Sequence, residues 1–194
     1  MTTTTALPAA ALPAAALPAA ALPAAALPAA TFPATAVSAT AHPAVTHRDH
    51  LRAAIDVSRS APLVLNRYAV GALIVDHDGT VLATGYTGET DPAHHAEEVA
   101  LAKLTPGTDL SRATLYTSLE PCTIRKSRPA PCTDLVLAAG INRVVLALRE
   151  PILFADCDGV ETLRQHGVQI IEMPDLAQHV RDINAHVLRP ASTS

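Results

Sequence analysis

Charge is missing from the first quarter of this 194-residue chain: residues 1–46 contain no Asp, Glu, Lys or Arg, and no glycine. Residues 6–30 are five tandem copies of Ala-Leu-Pro-Ala-Ala. A five-residue period matches no solenoid repeat. Proline at every fifth position removes helical hydrogen bonds and clashes with the preceding turn. Ala and Leu alone supply too little side chain for a core. The stretch also lacks the basic n-region and uninterrupted apolar segment of a secretory signal. A membrane span would need about 20 apolar residues without such breaks. Residues 1–46 are therefore expected to form a disordered, partly polyproline-like tail, or to reflect a start codon set too far upstream. Residues 47–194 are expected to form one domain of ordinary size.

Tryptophan is absent and cysteine is scarce, with three in the whole chain. Three cysteines do not make a disulfide framework. Free thiols fit a reducing compartment, so the expected location is cytoplasmic. Positive charge is in short supply too: the formal net charge is -4 and the sequence pI is about 6.1. That balance gives no basic face for a long nucleic acid. The expected partner is a small molecule, with neither a membrane nor a nucleic acid.

From residue 47 the pattern becomes that of an α/β domain. A helix is expected over 49–59, with Asp49 as N-cap and Leu51 and Ile55 on one face. Strands are expected at 69–76 and 80–86, joined by a turn at Asp78-Gly79. A helix should start near His94 and carry Val99, Leu101, Ala102 and Leu104 inward. A third strand at 113–118 is followed by a helix from Thr133 to Ala139, ended by Gly140. The fourth strand covers 142–148. A helix from Gly159 to His166 precedes a strand at 168–172, and one last helix runs from Pro174 to Leu188. This order implies a mixed five-stranded sheet, antiparallel at the hairpin and mostly parallel beyond it. The fourth and fifth strands should run parallel through a right-handed crossover.

Three pieces of this pattern carry chemistry. His95-Ala96-Glu97 opens one predicted helix, Pro121-Cys122 follows the third strand, and Cys132 opens the next helix. One imidazole and two thiolates make a good zinc set with a fourth position left for water. Helix N-termini favour thiolate. Glu97, two residues from His95, would face the open position rather than ligate. His94 is the competing register, but only His95 leaves Glu97 at the His-x-Glu spacing. A purely structural zinc knot would have four protein ligands and no use for Glu97. The layout is that of zinc base deaminases, in which a glutamate acts as general acid and base. Glu97 would shuttle protons from the attacking water to the ring nitrogen and the departing amine.

At these residues the chain resembles the cytidine deaminase superfamily. Ser118-Leu119-Glu120-Pro121-Cys122 and Arg128-Pro129-Ala130-Pro131-Cys132 most resemble the pyrimidine deaminase of riboflavin biosynthesis, over about residues 48–188. The resemblance implies a three-layer α/β/α sandwich, zinc on His95, Cys122 and Cys132, and Glu97 as proton shuttle. It implies a homodimer or homotetramer. Arg128 matches a basic residue that helps hold the substrate phosphate in the family. Asn66 and Glu120 are the other expected substrate contacts. The chain departs from the family pattern in four places, one being the family's N-P-x-V-G turn, here Asn66-Arg67-Tyr68-Ala69-Val70-Gly71. Its inter-cysteine loop is C-x9-C where the family has C-x8-C. Thr123-Ile124 stand where the family has Ser-His, and Thr87 where it has His. The expected reaction is hydrolytic removal of an exocyclic amine from a pyrimidine-like base, nucleoside or nucleotide. An adenosine deaminase acting on tRNA and a non-catalytic zinc scaffold are the alternatives. Arg125 and Lys126 are evenly balanced between recognition and a solvated loop. Cys157 reads as a free structural thiol, and His166 and His179 as helix-surface residues.

Overall fold

The computed structural model describes residues 45–125, 128–151 and 157–188. All but the last two residues of the 1–46 tail lie outside the described residues. The elements in chain order are α1 (His47–Ser58), β1 (Gly71–Val75), β2 (Val81–Tyr86), α2 (Ala96–Ala102), β3 (Thr114–Leu119), α3 (Cys132–Ala138), β4 (Arg143–Leu148), α4 (Gly159–Gln165) and β5 (Gln169–Glu172). A 3-10 turn at Pro174–Leu176, then α5 (Ala177–Ile183) and α6 (Ala185–Leu188), complete the described chain.

The five strands form one sheet in the order β2-β1-β3-β4-β5. β1 pairs antiparallel with β2 and β3, while β3, β4 and β5 run parallel. β1 and β3 are buried at every position, as expected of central strands covered on both faces. Two glycines show how the layers divide. A Cβ on Gly71 would lie 2.1 Å from the Ala54 carbonyl of α1, and one on Gly85 would lie 2.3 Å from the Ala96 carbonyl of α2. Gly85 is paired with Ala72, the neighbour of Gly71, and side-chain positions alternate along a strand. α1 and α2 therefore cover opposite faces of the hairpin. α5 packs beside α1, and α3 lies between α2 and α4, giving the three-layer α/β/α sandwich.

Three expectations change in detail. The N-cap of α1 is Thr46, not Asp49. The Thr46 hydroxyl accepts from the Asp49 amide, and the Asp49 carboxylate accepts from the Thr46 amide at 3.0 Å, a reciprocal capping box. Asp49 is thus the third residue of the helix. α2 buries Ala96, Glu97, Val99 and Ala100, whereas Ala102 is exposed and Leu101 and Leu104 are half-buried. The close crossing at Gly85 sets this phase, because it brings the Ala96–Ala100 face against the sheet. The last helix is broken into three pieces, with the main break at Asn184.

The break has a physical cause. Asn184 is fully buried, and its side chain binds the backbone of Ala69 twice. Oδ1 accepts from the Ala69 amide at 2.7 Å, and Nδ2 donates to the Ala69 carbonyl at 3.0 Å. The next two amides are also met by buried side chains, Val70 by Thr87 and Gly71 by Ser118. The amides of residues 69–70 are therefore met by side chains rather than by a strand ladder, and β1 starts two residues later than expected. Asn184→Ala would leave two buried backbone groups without partners, at about 1–3 kcal/mol each. We expect a loss of about 2–4 kcal/mol in urea unfolding. A change below about 0.5 kcal/mol would show the clamp to be dispensable.

Candidate active site

Ligands in open α/β sheets bind beyond the carboxyl ends of the strands. Here β3 ends at Leu119 and leads straight into Glu120-Pro121-Cys122, and β4 ends at Leu148 and leads into Arg149-Glu150. His95 is the N-cap of α2, and Cys132 is the first residue of α3. The sheet edge and two helix starts thus bring the sequence-distant donors to one point.

His95 Nδ1 lies 3.6 Å from Cys122 Sγ and 3.4 Å from Cys132 Sγ. The three donor atoms all lie within 4.8 Å of one another. Tetrahedral zinc with Zn–S near 2.3 Å and Zn–N near 2.0–2.1 Å requires N···S separations of about 3.6 Å. The donor set fits that ion in type and spacing, with Nδ1 as the imidazole donor. His94, the competing register, turns elsewhere: its Nδ1 is 2.6 Å from the Thr90 hydroxyl. Cys122 is held well below the usual thiol range, chiefly because it accepts from the Cys132 thiol, with His95 adding to the effect against the opposing influence of burial. Burial works against a charged His95, but the adjacent Cys122 thiolate raises its pKa overall. A thiolate already favoured before any metal arrives is the protonation state a zinc ligand needs.

Glu97 sits beside this set, 3% exposed. One carboxylate oxygen accepts from the Thr117 hydroxyl at 2.7 Å, and the other lies 3.4 Å from Cys132 Sγ. Thr117 pairs with Ala72, so it shares the sheet face that carries α2. Burial raises the Glu97 pKa, and the Thr117 bond offsets only part of that rise. A carboxyl poised in this way is suited to accept a proton and return it near neutral pH.

These groups open into a cleft of about 290 Å³. Its walls include Asn66, Tyr68, Val70, Thr87, Glu120, Ile124, Arg125 and Glu150, besides His95, Glu97 and Cys122. Of the expected substrate contacts, Asn66 and Glu120 line the cleft. Both oxygens of Glu120 are engaged from behind, one by the Val160 amide at 2.8 Å and the other by the Glu150 amide at 3.0 Å. Glu120 thus ties the ends of β3 and β4 to the start of α4. A Cβ on Gly159 would stand 2.0 Å from the Pro121 carbonyl, so this junction accepts only glycine. Arg128 is not among the residues of the cleft wall, and its Nε lies 3.6 Å from Glu98. Arg125 occupies the wall instead, its side chain 2% exposed and paired with Glu98 at 2.8 Å. Glu150, to which the sequence reading gave no role, is lifted to about 7 by burial. It is the second residue after β4, where Glu120 is the first after β3, and its place just beyond a strand end is the one sign of it in the sequence. Cys157 is half-buried, 3.5 Å from the Pro121 carbonyl, with its thiol pushed up to about 12 by burial. It belongs to no metal set among the described residues.

Residues 44–148 match the family described as the cytidine and deoxycytidylate deaminase zinc-binding region. The chain belongs to this family. Diaminohydroxyphosphoribosylamino-pyrimidine deaminase of Schizosaccharomyces pombe is 34% identical over 129 residues, which cover 65% of this chain and 32% of that protein. Riboflavin biosynthesis protein RibD of Aquifex aeolicus is 37% identical over 115 residues, covering 59% of this chain and 31% of RibD. The chain therefore spans about a third of the length of these relatives. Among solved structures, a diaminohydroxyphosphoribosylaminopyrimidine deaminase/5-amino-6-(5-phosphoribosylamino)uracil reductase from Thermotoga maritima matches with a TM-score of 0.62 and 33% identity. That match covers 71% of this chain and 38% of that one. Aspergillus oryzae Rib2 deaminase, in complex with DARIPP, gives a TM-score of 0.62 at 20% identity over 73% of this chain and 92% of its own, which shows the shared fold.

Proposed function

We propose that this chain is a zinc-dependent hydrolytic deaminase. Its substrate would be a pyrimidine-like base, nucleoside or nucleotide, either the riboflavin-pathway aminopyrimidine or a related compound. The observation that carries this reading is Glu97, a buried carboxylate beside a three-donor metal set at the foot of a cleft. A structural zinc site has no use for such a carboxylate, so a non-catalytic scaffold is disfavoured. An adenosine deaminase acting on tRNA would want a basic face, and the formal net charge of -4 gives it no support.

Zinc bound by His95, Cys122 and Cys132 would supply a Lewis acid that makes water a nucleophile near neutral pH. The chain's own residues do the rest. Thr117 holds Glu97 by one oxygen, leaving the other for proton transfer. Glu97 takes one proton of the attacking water and gives it to the ring nitrogen, then takes the second from the new hydroxyl on the ring carbon and gives it to the amine as the C–N bond breaks. Tyr68, Val70 and Ile124 give the cleft apolar walls for a ring, and Asn66 offers an amide to its polar edge. Arg128 and Glu120 act on the substrate through the loop and wall they hold.

Free ligand thiols fit the cytoplasm, and we extend the proposal to a homodimer or homotetramer there. Among the described residues no helix is long and apolar enough to cross a membrane. The test is ammonia release over a panel of aminopyrimidines, nucleosides and nucleotides. We expect about one zinc per chain, loss of ammonia release on chelation, and its return when zinc is restored. Full turnover by metal-free protein would overturn the proposal.

A further inference from the structure

Glu98 is adjacent to the proton-transferring Glu97 but points away from the reaction, toward the loop between the two cysteines. Its Oε2 is 2.8 Å from Arg125 and its Oε1 is 3.6 Å from Arg128, with His94 at 3.9 Å. Arg125 also donates to the Ala93 carbonyl. Two guanidiniums converging on one group is the arrangement that recognises phosphate. Here the anion between them is the protein's own carboxylate.

Resting on the deaminase reading above, we propose that Glu98 is a specificity-determining residue. It fills the anion site of the inter-cysteine loop, so the cleft favours an unphosphorylated ring or riboside over its phosphate ester. Arg125 forms part of the cleft wall, so a phosphate reaching it would have to displace a carboxylate tethered to the adjacent helix. The other described cleft guanidinium, Arg67, donates to the Pro92 carbonyl. Glu150 adds a further carboxylate to the wall, and Ile124, 62% exposed, adds an apolar side chain. The carboxylate held between Arg125 and Arg128, the second carboxylate and the apolar side chain disfavour a dianion and leave an uncharged ring or ribose unopposed.

Two measurements on the full-length zinc-loaded protein test this. The first compares ammonia release from diaminohydroxyphosphoribosylaminopyrimidine with release from the same compound after phosphatase treatment. Wild type should favour the dephosphorylated compound at least tenfold in kcat/KM, and Glu98→Gln should shift that ratio at least tenfold toward the ester. The second measures calorimetric binding of inorganic phosphate, which needs no turnover. Glu98→Gln, with zinc content and circular dichroism matching wild type, should bind phosphate at least tenfold more tightly. A wild-type preference for the ester, or unchanged phosphate affinity in the variant, overturns the proposal. If neither compound releases ammonia, the deaminase reading on these substrates fails, and phosphate binding alone still decides the role of Glu98. If the variant does not fold, the phosphate affinity of wild type decides: tight binding overturns the proposal.

Discussion

Glu97→Gln is expected to lower kcat by about 10²–10⁴-fold while leaving zinc content unchanged. The substitution keeps the shape of the side chain and its place against Thr117, whose hydroxyl now donates to one carboxylate oxygen at 2.7 Å. It removes the one function an amide cannot perform, which is to accept a proton and give it back. The three metal donors are untouched, so metal analysis of the variant should match wild type. KM should move little, because the other walls of the cleft are unchanged. A variant that retains full turnover would refute the assignment of Glu97. One that loses both zinc and activity would place Glu97 in the metal site rather than in proton transfer.

The same residue shows how much could be read from the sequence. His95, Glu97, Cys122 and Cys132 were legible because metal chemistry restricts residue type and because both helix starts have local signals. The hairpin, the parallel strands and the order of layers were legible from the spacing of apolar runs and turns. Other features depend on contacts between distant segments. Asn184 reads as one polar residue on an amphipathic helix, and nothing nearby says that its amide clamps Ala69, 115 residues earlier. Arg125 and Arg128 look alike in the loop. Only the position of Glu98 on α2 determines that the first enters the cleft wall and both face a carboxylate. The phase of α2 is not legible in the sequence for a related reason. Counting from its leucines puts Ala102 inward, but the glycine on β2 that lets the helix approach selects Ala96 and Ala100.

That glycine carries the second large expected effect. Gly85→Ala adds a single Cβ, 2.3 Å from the Ala96 carbonyl and 2.6 Å from the Ala100 amide, both backbone atoms of α2. Backbone cannot rotate aside as a side chain can, so α2 must retreat by about 1 Å to regain ordinary contact distance. Overpacking of this kind destabilises by about 1–3 kcal/mol. The larger consequence is for chemistry, because Ala96 lies between His95 and Glu97. Their partners Cys122 and Cys132 are carried by other elements and do not move with α2. A misplacement of about 1 Å in a reacting constellation costs about 10²-fold in rate, and zinc affinity should fall with it. Gly71→Ala is the matched control. Its Cβ would meet the Ala54 carbonyl at 2.1 Å, an equal clash on the opposite face, against α1, which supplies no metal donor. Both variants should lose comparable stability in urea unfolding. Only Gly85→Ala should lose zinc and turnover in the fraction that remains folded. If the two variants lose activity only in proportion to the protein unfolded, the close crossing at Gly85 serves packing alone and does not position the site.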